Sequence, residues 1–386
     1  MADYPDSIYS PREKENRSGV VYNAAKKNVL FAEDVQKDDD EIVAIETELG
    51  LNPKGVHADV AAYLSWLDDA IAAIGSGWPP SGYSVTGYLS SLLRVGNFPY
   101  YGGQPRGVVV SGGYALIAGA TTGTIRKYDL STLSLVAESP NYGGDIYCLF
   151  VSGDYVYAGG AITQTIRRYN LFDLTYVDES PSYGGSIYCL FVSGDYVYAG
   201  GSVTNAVRRY NLSDLTYVDA TPSFGGNVQS FVILDDYLFV VGSTTQTIRK
   251  YNLSDLTYVS ASASLGGNTN AIATDGTYLY VPLYTGYRLR KIDPSDLSIV
   301  STTDSFGGAL TSLVYKPGFL YAGSNDLRLL FKISLTDMSI VSVSPYGSGY
   351  LNPLAFSGNY VFVGDNARKQ VEVYLDCLLP SLVVSS

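Results

Sequence analysis

The chain has 386 residues, of which 35 are Tyr and 40 are Gly, with only 16 % charged and a net charge of −12. Such an acidic surface argues against a sequence-independent grip on nucleic acid phosphates or anionic lipid. The opening MADYPDSIYSPREKE is polar and charged, so no signal peptide is visible, and no stretch is long and apolar enough to span a bilayer. Synthesis in a cytosol, with no membrane insertion, is the expectation.

Two short helices are predicted near the N-terminus. Asp38, Asp39, Asp40 and Glu41 precede an apolar pattern at Ile42, Ile45 and Leu49 that Gly50 ends, which are the charge and glycine signals of helix boundaries. After the turn Asn52–Gly55, Val60, Leu64, Leu67, Ile71 and Ile74 alternate steps of four and three, a two-heptad seam. Two heptads are too short for a stable isolated coiled coil. The seam predicts a homo-oligomeric bundle, a trimer in the first instance; the competing reading is an amphipathic helix folded back on the C-terminal domain. The stretch Gly75–Gly82 is a linker by composition. The domain expectation is an attachment and oligomerisation segment over 1–77, a linker over 78–88 and a repeat domain over 89–386.

From residue 102 onward the chain is periodic. The pairs Gly102-Gly103, Gly143-Gly144, Gly184-Gly185, Gly225-Gly226, Gly266-Gly267 and Gly307-Gly308 recur every 41 residues. A second column, Tyr128, Tyr169, Tyr210, Tyr251, Ile292, Ile333 and Tyr374, keeps the same step. Each copy parses into four strands; in the second copy these are Ile146–Ser152, Tyr155–Gly159, Thr165–Asn170 and Leu174–Glu179, with turn residues between them. Four strands in a repeat of this length predict an all-β, seven-bladed propeller of antiparallel blades behind a small helical stalk, with eight blades as the alternative count. The seventh copy opens with an altered turn, Tyr346–Gly349. Leu89–Tyr101 matches Leu130–Tyr142, a repeat end, and so offers a fourth strand to the last blade; Ser381–Ser386 offers another.

The inventory for catalysis is thin. The one histidine, His57, lies in the N-terminal segment, so the repeat domain holds no His-based triad or metal site. Catalytic residues, metal ligands and cofactors are therefore expected to be none. Asp154 and Asp195, and Asp173, Asp214 and Asp255, fall in repeating turn columns, and a residue present in several blades is a turn-former before it is a catalyst. Cys148 and Cys189 occupy equivalent positions and Cys377 stands alone; all three are expected as small buried apolar residues. Arg126, Arg167, Arg208, Arg249 and Arg290 form a further column, expected to stack on Tyr or to pair with an acid of a neighbouring blade rather than to ring a ligand.

Binding is expected where the repeat breaks. The loop between the second and third strands is short and Gly-rich in the first four copies. It then changes to Pro282–Tyr287, Ser324–Asp326 and Asp365–Arg368. Tyr284, Tyr287, Asn325, Asp326, Asp365, Asn366 and Arg368 are the candidate ligand-binding residues, a set suited to stacking on sugar rings and hydrogen-bonding hydroxyls.

Two resemblances add to this reading. The pattern VYAGG…TIRRYNL..LTYV resembles YVTN-type propeller repeats over residues 102–386, without a Trp-Asp signature or a Ser-x-Asp-x-Gly turn box. The N-terminal segment, most of all Glu41–Gly55 (EIVAIETELGLNPKG), resembles that of tailed-phage virion proteins, tail fibres and minor tail proteins among them. The second resemblance implies a module that docks to the particle and other virion proteins, with the propeller exposed. The functional expectation is a virion protein displayed for adhesion to a host surface glycan or protein. A purely structural virion protein and a carboxylate-dependent glycan hydrolase or lyase are the alternatives.

Overall fold

A computed structural model describes residues 88–344 and 351–380, with side chains from 92 to 376 in these spans. Both predicted helices, the seam from Val60 to Ile74, the turn Tyr346–Gly349, Cys377 as a side chain and the segment Ser381–Ser386 lie outside the described residues.

The described chain folds into seven antiparallel sheets of four strands, six of them simple meanders and the seventh completed by the first described strand of the chain. Blade 2 runs Ile146–Ser152, Tyr155–Gly160, Arg167–Asn170 and Tyr176–Glu179 from inside to outside. The first strands of the seven sheets neighbour one another in chain order, and that of blade 7 (Leu351–Ser357) returns to that of blade 1 (Pro105–Ser111), so the ring closes. The fold is a seven-bladed β-propeller.

The third and fourth strands begin two residues later than expected, the fourth because Leu174 is not a strand residue. It sits in the turn at φ +60° and is fully buried. Leu215, Leu256, Leu297 and Met338 repeat this conformation. Left-handed backbone costs a non-glycine residue about 1 kcal/mol, which burial of a leucine side chain, worth about 2 kcal/mol, offsets.

Cores lie between blades rather than within them. Leu116 and Ile125 of blade 1 pack with Ile146, Val156 and Tyr169 of blade 2. Tyr157 and Ile166 of blade 2 pack in turn with Val197 and Tyr210 of blade 3. The second strands are buried along nearly their whole length, since each is covered on both faces.

Ring closure falls to the strand that precedes the first repeat. Tyr88–Asn97 is the fourth strand of blade 7, hydrogen-bonded to Gln370–Pro380. Just beyond it, the Phe98 and Tyr101 amides donate to the carbonyls of Val371 and Lys369 at 2.8 Å. Phe98 is fully buried, 5.3 Å from the ring of Tyr128 in blade 1 and 5.9 Å from that of Phe362 in blade 7. The N-terminal of the two predicted closing strands therefore makes the joint.

Candidate functional site

The glycine pairs build one face of the disc. Gly143 has φ +91°, open to glycine at little cost, and a Cβ on Gly103 would stand 1.8 Å from the carbonyl oxygen of Ala120. The connection into each blade can therefore lie against that blade's own loop between second and third strands. Both features share one face, the entry face, since the inner strand starts opposite the end of the second, as Ile187 opposite Gly201 shows.

Aromatic residues beside the glycines lock this face. The Tyr142 amide donates to the Gly123 carbonyl of blade 1 at 2.6 Å, and its hydroxyl donates to the Thr165 carbonyl of blade 2 at 2.5 Å. Burial pushes the Tyr142 phenol up to about 12, and those of Tyr101 and Tyr183 likewise. The arginine column is part of the same lock. Arg126 and Arg167 donate to the Tyr101 and Tyr142 carbonyls at 2.5 and 2.6 Å and lie over those rings at 5.3 and 5.1 Å. Their acid partners, Glu138 at 3.1 Å and Glu179 at 2.6 Å, belong to the same blade, not to a neighbour. The reason is register: Arg126 and Arg167 sit directly across from these glutamates on the adjacent outer strand. Arg208 and Arg249 bond the carbonyls of Ser182 and Ser223. These four arginines are structural.

The opposite face carries a second cation column that the sequence reading did not single out. The Lys127 ammonium donates to the Leu171 and Phe172 carbonyls of the next blade's outer turn, both at 2.9 Å. Arg168 and Arg209 repeat this toward Leu212 and Leu253, and Lys250 toward Pro294. Each lies over the Tyr that opens its blade's second strand. The mixture of Lys and Arg hides the column unless repeats are aligned by charge. The turn acids behave as expected: Asp173, Asp214 and Asp255 each accept from the amide and hydroxyl of the Thr two residues on, which holds their carboxyls below the usual range.

Blade 7 departs from the pattern. Glu372 takes the arginine column's place and is fully buried, paired with Arg94 at 3.1 Å and Arg368 at 2.7 Å and accepting the Tyr374 hydroxyl at 2.6 Å. Asp376 accepts Lys332 of blade 6 at 2.6 Å, Lys316 at 3.3 Å and the Tyr321 hydroxyl. Cys148 and Cys189 are partly buried rather than fully buried as expected, and desolvation pushes both thiols up.

The structure places all seven predicted binding residues on the entry face, in the loops of blades 5 to 7. Tyr284 and Tyr287 are 45 % and 38 % exposed. Four of the other predicted residues work within their own blades. Asn325 accepts the Thr311 hydroxyl at 2.8 Å, and Asp326 accepts the Ala309 amide at 2.9 Å. Asp365, fully buried, accepts the Ala367 and Arg368 amides at 2.9 and 3.0 Å, and Arg368 holds Glu372. The Asn366 side-chain oxygen is buried with no partner among the described residues.

One further column reaches the same face, at the channel mouth. In blades 1 to 4 the inner strand skips one residue in its pairing, at Arg106, Tyr147, Tyr188 and Gln229; the corresponding irregularity in blade 6 falls at Thr311, and in blade 7 at Asn352-Pro353. Asn270 holds the equivalent place before the shortened first strand of blade 5, Ala273–Thr274. A β-bulge re-aims the side chain it carries. Flanking columns are largely apolar, whereas this one is polar or aromatic throughout, with Tyr in blades 2 and 3, Asn in blades 5 and 7, and Arg, Gln and Thr in the others. Aligning the repeats at their 41-residue step exposes it, although no motif does. The Arg106 guanidinium lies 5.0 Å from the Tyr147 ring centroid, and the Tyr147 and Tyr188 rings are 5.6 Å apart. Among the described residues, no group of three or more His, Cys, Asp or Glu is placed to hold a metal ion.

No protein-family model and no curated protein matches the chain. Among solved structures it is similar to the WD40 β-propeller domain of Doa1, with a TM-score of 0.65 at 14 % identity over 78 % of this chain and 100 % of that one. It is also similar to the computationally designed Ika8 protein, with a TM-score of 0.58 at 11 % identity over 73 % and 99 %. At such identities the likeness is one of fold, and function has to be argued from the site.

Proposed function

We propose that this chain is a recognition protein of a tailed-phage virion, docked to the particle by its N-terminal segment and presenting the propeller's entry face to a host surface glycan or protein. The observation that carries the reading is the mouth column, polar or aromatic in all seven blades and drawn from five residue types, within a scaffold whose locks and turns repeat. A structural element repeats because each blade must meet the next in the same way; a residue set free of that constraint is available for a ligand. The resemblance of Glu41–Gly55 to phage virion proteins supports attachment, and copies held together by the Val60–Ile74 seam would raise avidity for weak sites.

A structural role in the virion is the second reading, favoured by a belt around the rim. The fourth strands expose paired apolar residues in successive blades, Leu135-Val136, Tyr176-Val177, Tyr217-Val218 and Tyr258-Val259 among them. Cryo-electron microscopy of intact particles separates the two. Entry faces turned to solvent support adhesion; propellers packed by rim or face against other virion proteins make this a structural part.

A further inference from the structure

We infer that the channel mouth on the entry face is a saccharide subsite, lined by Arg106, Tyr147, Tyr188, Gln229, Asn270 and Asn352, and that its ligand is a neutral, hydroxyl-rich sugar. The inference deepens the recognition reading by naming a site and a ligand class, and rests on it only for biological purpose. Four observations converge. The bulges of the inner strands hold this column at the mouth in blade after blade. Two tyrosines stand side by side there, only partly buried, and aromatic faces pack on the C–H faces of pyranose rings. Among the described residues, no protein hydrogen bond engages the side chains of Tyr147, Tyr188, Gln229, Asn270 or Asn352, so hydroxyls and primary amides remain to donate and accept. A primary amide presents a donor and an acceptor side by side, which suits adjacent hydroxyls of a sugar.

Charge selects the class. Arg106 is exposed and bonded to the Gln104 side chain at 3.3 Å. Asp145, at the start of the next blade, accepts the Thr121 amide at 3.1 Å. Arg106 and Asp145, one cation and one anion, both lie close enough to act on the Tyr147 phenol, and the remaining lining residues are neutral. Thr311 is withdrawn from the lining, since it is buried and spends its hydroxyl on Asn325, so the polar groups form an arc rather than a full circle.

The test is saturation-transfer NMR on the full chain with neutral trisaccharides of glucose, galactose, mannose and N-acetylglucosamine, and with a glucuronic-acid trisaccharide as the charged arm. The expected result is transfer from at least one neutral trisaccharide, unchanged between about 0.05 and about 0.5 M salt. Tyr188→Ala and Gln229→Ala should each weaken that binding about tenfold at an unchanged melting temperature. Binding of the uronate alone, weakened by salt, would overturn the ligand class. Binding retained in both variants, or no transfer from any saccharide, would overturn the site. Adhesion of the full chain to host cells is scored separately. A chain that adheres but takes no saccharide contradicts the mouth site and spares the recognition reading, and one that binds trisaccharide but no cell does the reverse.

Discussion

The Arg94 guanidinium reaches the Glu372 carboxylate at 3.1 Å, joining the first described strand of the chain to the last. The pair inverts the polarity of blades 1 and 2, where the third strand carries Arg and the fourth carries Glu, as in Arg167 and Glu179. Blade 7 alone is assembled from two distant parts of the chain, and this inversion distinguishes its fourth strand from those of blades 1 and 2. A Tyr176–Glu179 strand placed there would set Glu179 near Glu372 rather than near an arginine.

Truncating the buried acid of this latch alone should cost more than replacing both partners by apolar side chains. Glu372→Ala strands Arg368 and Tyr374 and, by analogy with broken buried pairs, should cost about 3–5 kcal/mol. Arg94→Met leaves Glu372 its other two partners, and Arg94 is partly exposed, so about 1–2 kcal/mol is expected. The double variant Arg94→Met/Glu372→Met should be more stable than Glu372→Ala. Calorimetric unfolding of the three proteins checks the order.

The cation clasps of the opposite face should differ by partner. Lys250 bonds a neutral carbonyl, and Lys250→Met should cost about 1–2 kcal/mol. Lys332→Met removes the closer of two ammonium groups from the buried Asp376 and should cost more, about 3 kcal/mol. Denaturant titration of both variants measures the difference; equal losses would show that Lys316 compensates.

Alkali should open the molecule in a defined window. The phenols of Tyr101, Tyr142 and Tyr183 are raised to about 12 in the fold against about 10 in the unfolded chain. The folded state thus holds protons that the unfolded state releases, so these groups' contribution is complete below pH 10 and lost as pH rises through 12. Tyrosinate absorbance and circular dichroism should change together there. Ionisation of all tyrosines near pH 10 with the fold intact would contradict the burial argument.

Much of the architecture was legible because the repeat writes each blade out separately. The 41-residue step, the four strands and the closing match of Leu89–Tyr101 all follow from self-similarity. What escaped depended on partners in other strands. The acid beside Arg167 lies twelve residues on, across one register, whereas the sequence pattern pointed to the next blade. The Leu174 turn escaped because left-handed backbone at a leucine has no local sign and is stabilised only by burial. For the site, the loops of blades 5 to 7 were visible as breaks in the repeat, whereas Asn325 and Asp326 there are spent on local bonds. The mouth column was hidden because a bulge turns one residue out of an otherwise apolar strand.

The most direct test of recognition through the entry face compares variants of the two faces for adsorption of the labelled full-length protein to host cells. Tyr188→Ala and the double variant Tyr284→Ala/Tyr287→Ala alter the entry face, and Phe172→Ala alters an exposed residue of the opposite one. Adsorption lost in the first two and kept in the third, with all melting temperatures unchanged, is the expected result. Adsorption that survives both entry-face changes, or that falls only with Phe172→Ala, would contradict the account.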